Sequence, residues 1–165
     1  MNWDAIGAVS ELIGAGGVII TLIYLAIQIR HNTRAVRLDT SHNIMEEIRD
    51  MYSLMAEHGD LAELIHRAAT DYESVEGKDK VRWYALNMNF MRALENSHIQ
   101  WIEGALDSRV WHGVRRQSAD YTRIPGFQEF WSNRKHWFSK EFQSLLDDEL
   151  MSESHEHDAP IPGDY

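Results

Sequence analysis

Leu12-Ile13-Gly14-Ala15-Gly16-Gly17-Val18-Ile19-Ile20-Thr21-Leu22-Ile23-Tyr24-Leu25-Ala26-Ile27 runs sixteen residues without a charge. A helix that crosses the hydrocarbon of a bilayer needs about 20 mainly apolar residues, so the run alone is short. Its flanks complete it. From Glu11 to Arg30 a helix rises roughly 28 Å, which places the two charges at opposite interfaces. Trp3 then falls in the outer aromatic zone. The competing reading is a buried core helix. A cleaved signal sequence fits less well, because Asp4 and Glu11 precede the run where positive charge belongs. Arg30, Arg34 and Arg37 all follow the span, with no Lys or Arg before it. The positive-inside rule therefore predicts an outside N-terminus and a cytoplasmic C-terminal side.

At 100° per residue, Gly7, Ser10, Gly14, Gly17, Thr21 and Gln28 share one stripe of this helix, with Glu11 beside it. Ile13, Ile20, Ile23 and Ile27 occupy the opposite surface. Small residues let membrane helices approach closely, so the stripe is expected to be a helix–helix interface. The glycines Gly14, Gly16 and Gly17 are no nucleotide loop: no strand precedes them and the phosphate-binding Lys and Ser/Thr are absent.

Outward from the span, no glycine or proline occurs between Val18 and His58, so the helix is predicted to continue as one rod capped by Gly59. Asp39-Thr40-Ser41 is the patch where it would break instead. Leu38, Met45, Ile48, Tyr52 and Met55 give the rod an apolar edge. Asp60 to Glu63 looks like a capping box, and opens a helix that fades near Tyr72. A long central helix is predicted from Asp79 to about Ala105, with an apolar arc broken only by Arg82, Asn89, Arg92, Asn96, Gln100 and Glu103. Asp107 caps a fourth helix. After Ile124-Pro125-Gly126, a last helix runs from Phe127 to about Leu150. The fold class is all-α: an N-terminal transmembrane helix continuing into a cytosolic bundle of about five helices. Three segments follow: 1–37 as anchor and juxtamembrane basic stretch, 38–150 as helical domain, and 151–165 as an acidic flexible tail.

The net charge of −10 argues against nucleic acid as a partner. The absence of cysteine excludes disulfides, thiolate metal sites and a thiol nucleophile.

The signature Ile6-Gly7-Ala8, Glu11-Leu12-Ile13-Gly14-Ala15, and Tyr24-Leu25-Ala26-Ile27-Gln28-Ile29-Arg30-His31-Asn32-Thr33-Arg34-Ala35 resembles the opening of a broad set of uncharacterised bacterial single-pass membrane proteins. The likeness is specific over residues 5–37 and looser around Glu103 to Trp111 and Pro125 to Trp131. It implies a bacterial inner-membrane location and brings no activity with it.

Glu95 and His98 form a Glu-x-x-His, the spacing that holds paired metals in ferritin-like bundles. That site needs a second such pair and two more glutamates, which the sequence does not supply. Glu95 and His98 are therefore expected to form a buried polar network, with Glu95 paired to an arginine of another helix: Arg49, Arg115, Arg116 or Arg134. No catalytic residue, metal or cofactor is assigned. Five of the six tryptophans lie between Trp83 and Trp137, and are expected in the core. The leading functional expectation is a non-enzymatic membrane protein, self-associating or an accessory subunit of a membrane complex, whose partners are the lipid bilayer and itself or other membrane subunits. A homo-oligomeric channel lined by Ser10, Glu11, Thr21 and Gln28 is the alternative. A metal-dependent enzyme around Glu95 and His98 is the weaker one.

Overall fold

The computed structural model describes the backbone of residues 3–151 and the side chains of residues 11 and 14–151. The acidic tail, and the side chains of Trp3, Gly7, Ser10 and Ile13, lie outside the described residues. Among those described there are six α-helices and no strand.

The first helix, α1, runs unbroken through Trp3–Glu57, 55 residues or roughly 80 Å. It passes straight through the Asp39-Thr40-Ser41 patch. There the Ser41 hydroxyl donates to the Arg37 carbonyl at 2.7 Å and accepts the Asp107 amide at 3.4 Å. A residue that favours leaving the helix is thus used inside it.

The rod does not end on Gly59. His58 takes an extended conformation, and Gly59 already belongs to α2 (Gly59–Thr70). Asp60 is not the cap either. It sits in the first turn, and its carboxylate accepts from Arg82 Nη2 at 2.8 Å. Two glycines do take left-handed backbone: Gly77, with φ +55°, and, beyond the other end of the same helix, Gly104, with φ +70°. It closes α3 (Gly77–Ile102), and the amides of Ala105 and Leu106 reach back to the Gln100 carbonyl at 2.8 and 3.0 Å.

Asp107 caps α4 (Ser108–Tyr121) as expected, accepting the Arg109 amide at 2.8 Å. The predicted last helix is two helices. Pro125 starts α5 at its first position, where its missing N–H costs nothing, and α5 ends at Arg134. Lys135–Trp137 tightens to a 3₁₀ turn and Phe138 is extended. Ser139 then caps α6 (Lys140–Ser144), which widens into a π-helix over Leu145–Leu150.

The core is aromatic and centred on α3. Trp83, Trp111, Phe127, Phe130 and Phe142 are fully buried, with Met91 and Leu94 between them. Trp131 is buried too, while Trp137 stands 49% exposed, so tryptophan serves the core at three positions and not at the fifth. Two buried indole N–H groups find acceptors in the fold: Trp83 on the Gly126 carbonyl at 3.0 Å, and Trp131 on Asp147 at 2.7 Å. Gly126 is required there. A Cβ would lie 2.6 Å from Tyr72 Cδ2 and 3.0 Å from the Ala68 carbonyl. Among the described residues of α1, only Ile44 is buried in this core, so most of the described rod lies outside it.

Candidate functional site

The upper part of α1 is the one helix among the described residues long and apolar enough to cross a membrane, and none of its apolar window is buried in the chain's own fold. Val18, Ile19, Ile20, Leu22, Ile23, Tyr24, Leu25, Ile27 and Ile29 are exposed on every side of the helix. A core helix of a soluble domain would be covered. A helix apolar all round requires an apolar surrounding all round. Moving each large side chain from water gains about 1.5–3 kcal/mol, so nine of them outweigh any single-sided protein contact.

Along this segment Gly14, Gly17, Thr21 and Gln28 are exposed, and Glu11 also. A Cβ added at Gly14, Gly16 or Gly17 would meet no atom within 4 Å. The Thr21 hydroxyl donates to the Gly17 carbonyl at 2.9 Å, so that donor is used within its own helix.

Where the rod meets the domain, Arg37 is a strut. Its Nε donates to the Gly104 carbonyl at 2.7 Å, tying α1 to the turn between α3 and α4. Below this, α1 stands off from the domain and leaves a groove of about 870 Å³. Met51, Leu54 and Met55 line it from α1, Leu86 and Phe90 from α3, and Glu47, Asp50 and Asp120 make its rim acidic. Tyr52 bridges it by accepting a hydrogen bond from Gln117 of α4. The predicted apolar edge of the rod is thus only partly used: Ile48 and Met55 pack, Leu38, Met45 and Tyr52 remain half exposed, and the buried residue is Ile44, which the prediction did not include.

Glu95 and His98 are both buried, as their place in the apolar arc of α3 implies. The partner of Glu95 is not an arginine of another helix. It is Arg92, one turn earlier on α3, whose Nη1 donates at 2.6 Å. The other oxygen accepts the Ser139 amide at 2.8 Å. Arg92 reaches the same corner from its other side, donating from Nη2 to the Trp137 carbonyl at 3.1 Å and stacking its guanidinium over Phe138 at 4.5 Å. Together the two side chains satisfy backbone groups freed by the break between α5 and α6.

The four arginines expected to serve Glu95 are engaged elsewhere. Arg49 binds Glu46 and Asp50, Arg115 binds Glu149, Arg116 donates to the His112 carbonyl, and Arg134 lies over Tyr84 and Trp137. His98 packs against Trp111 at 5.2 Å and Trp101 at 6.0 Å, which also stack on each other at 5.3 Å, with Phe142 at 6.3 Å. Burial lowers its pKa below the ordinary 6.5, against the opposing pull of Glu149, Glu141 and Glu95.

This arrangement is ill suited to a metal. The Glu95 oxygens already face a cation and an amide, and among the described residues no group of three or more His, Asp and Glu side chains converges. One signal for the α5–α6 corner was present in the sequence: Ser139 followed by Lys140 and Glu141 is a helix start. The sequence did mark Arg92: it precedes Glu95 by three residues on one helix, the spacing at which opposite charges meet. Compared with known protein families, with curated proteins and with solved structures, the chain matches none.

Proposed function

We propose that this chain is a single-pass protein of a bacterial inner membrane, with its N-terminus outside and its helical domain in the cytoplasm. It acts without chemistry of its own, by self-association or as an accessory subunit of a membrane complex. The observation that carries the reading is the all-round exposure of the apolar segment of α1, which only lipid or a surrounding set of membrane helices satisfies. Arg30, Arg34 and Arg37 set the orientation. The Gly14, Gly17 and Thr21 stripe supplies a surface for a second helix, and the half-open groove between α1 and the domain supplies one for a cytosolic partner. No equivalent support exists for catalysis, since Glu95 and His98 are spent on holding a corner and filling the core. Light scattering of the full chain, purified gently in detergent, tests the reading. A mass of two or more protomers, or a second protein co-purifying in fixed ratio, is expected. A lone monomer would contradict it.

A further inference from the structure

The inner end of the span gathers one guanidinium more than α1 itself supplies, and with Asp107 counted the group keeps a net charge of about three positive. Arg30, Arg34 and Arg37 follow one another at spacings of four and three, so they share one face of the rod. The start of α4 brings Arg109 to that face, although it lies far along the chain. Together with Thr33 and Asp107 they line a cavity of about 370 Å³. Two of these groups build the site. Arg37 holds the Gly104 carbonyl, and Asp107 accepts from Arg109 Nε at 3.0 Å and Nη2 at 2.8 Å. Four guanidiniums thus face a single carboxylate, in a chain whose net charge is −10. The pairing with Arg109 holds the Asp107 carboxyl well below the usual carboxylate range, so it stays a fixed anion that orients the fork.

The position along the rod identifies the ligand. With the hydrocarbon ending at Arg30, the rise to Arg37 is roughly 10 Å, which covers the headgroup layer of one leaflet. Ile29, 66% exposed, marks the lipid side of the cavity. Guanidinium forks match phosphate oxygens in charge and geometry. We infer that the Arg30–Arg34–Arg37–Arg109 cavity is a binding site for the headgroup of an anionic phospholipid, and that it seats the domain against the membrane surface. An acidic protein segment shares the charge but not the place at the hydrocarbon boundary.

The inference rests on the membrane reading, and the experiment separates the two. The full chain is reconstituted in phosphatidylcholine vesicles and floated on a density gradient. Failure to float would remove the membrane reading before any lipid is compared. With the floated protein, spin-labelled phosphatidylglycerol and phosphatidylcholine are compared by the fraction each shows immobilised. Phosphatidylglycerol should be preferred at least fivefold. Arg109→Gln should lower that preference by about fivefold, the worth of one basic residue at an anionic surface. Arg109→Lys, which keeps the charge but not the fork, should restore only part of it, while Lys80→Gln, far from the cavity, should leave it unchanged. Equal association of the two lipids would overturn the inference. So would a preference that Arg109→Gln leaves intact, since only the general field of α1 would then be acting. Abolition of the preference by inorganic phosphate, but not by chloride at equal ionic strength, would also overturn it in favour of a soluble anion.

Discussion

Glu95 serves two partners at once, and its removal releases both. Arg92 would lose its carboxylate, and the Ser139 amide would be left without an acceptor at the α5–α6 corner. Arg92 is half exposed, so water recovers part of its loss. The amide recovers less. Glu95→Ala is therefore expected to cost about 2 kcal/mol, and Glu95→Gln, which keeps an acceptor, distinctly less. Thermal unfolding of the two variants checks this; equal cost would mean that the amide bond is not the stabilising one. His98 gives a pH dependence of fixed sign. Its folded pKa lies below the unfolded value of about 6.5, so on acidification the unfolded chain binds a proton that the folded chain refuses. Stability is full above that value and falls as pH drops beneath it. The lowered carboxylates Asp60, Asp107 and Asp147 act in a separate window, beneath their ordinary 3.8. Melting temperature measured from pH 7.5 to 5 should fall more steeply for the natural chain than for His98→Phe, which keeps the stack on Trp111. Parallel curves would show that His98 is not the titrating group.

Among the elements, α1 is both the most legible and the least committed. Its length follows from the absence of glycine and proline between Val18 and His58, and its fitness to cross a membrane from the apolar run. Capping was less legible. Gly59 and Asp60 carry the right residue types, yet the chain turns at His58, because α2 must swing back to bury Leu61, Leu64 and Ala68 against the core. The split of the last helix hid for a related reason. Trp131, Phe138 and Phe142 keep a helical spacing on paper, but the corner between them is held by Arg92 and Glu95 from another element. No periodicity within residues 127–150 contains that information. The small-residue stripe yields a prediction whose control is built in. A Cβ at Gly14 or Gly17 meets no described atom within 4 Å, so the effect of enlarging either is expected at a second helix. Gly14→Leu and Gly17→Leu should weaken association of α1 with a second helix by 1 kcal/mol or more, on the order of tenfold. Ile20→Leu and Ile23→Leu, on the opposite surface, should leave it unchanged. A helix-association reporter in a bacterial membrane compares the four, and equal signals would remove the stripe as an interface.

At the scale of the whole molecule, a rod of 55 residues carries an exposed apolar segment at one end and a helical domain with an aromatic core at the other. Between them, Arg37 and Ser41 clasp the turn after α3, so the domain is held next to the Arg30, Arg34 and Arg37 stretch of the rod. The two ends differ in their surfaces: the apolar segment is unstable in water, and the domain is built for it. The chain's lack of cysteine gives the most direct test, because a single introduced thiol is unique. Asn2→Cys and Ser132→Cys variants are treated, in intact bacterial cells whose outer membrane has been made permeable, with a maleimide that cannot cross the inner membrane. Asn2→Cys should be labelled at once, and Ser132→Cys only after lysis. Labelling of both in intact cells, or of neither, would contradict a single crossing with the domain inside.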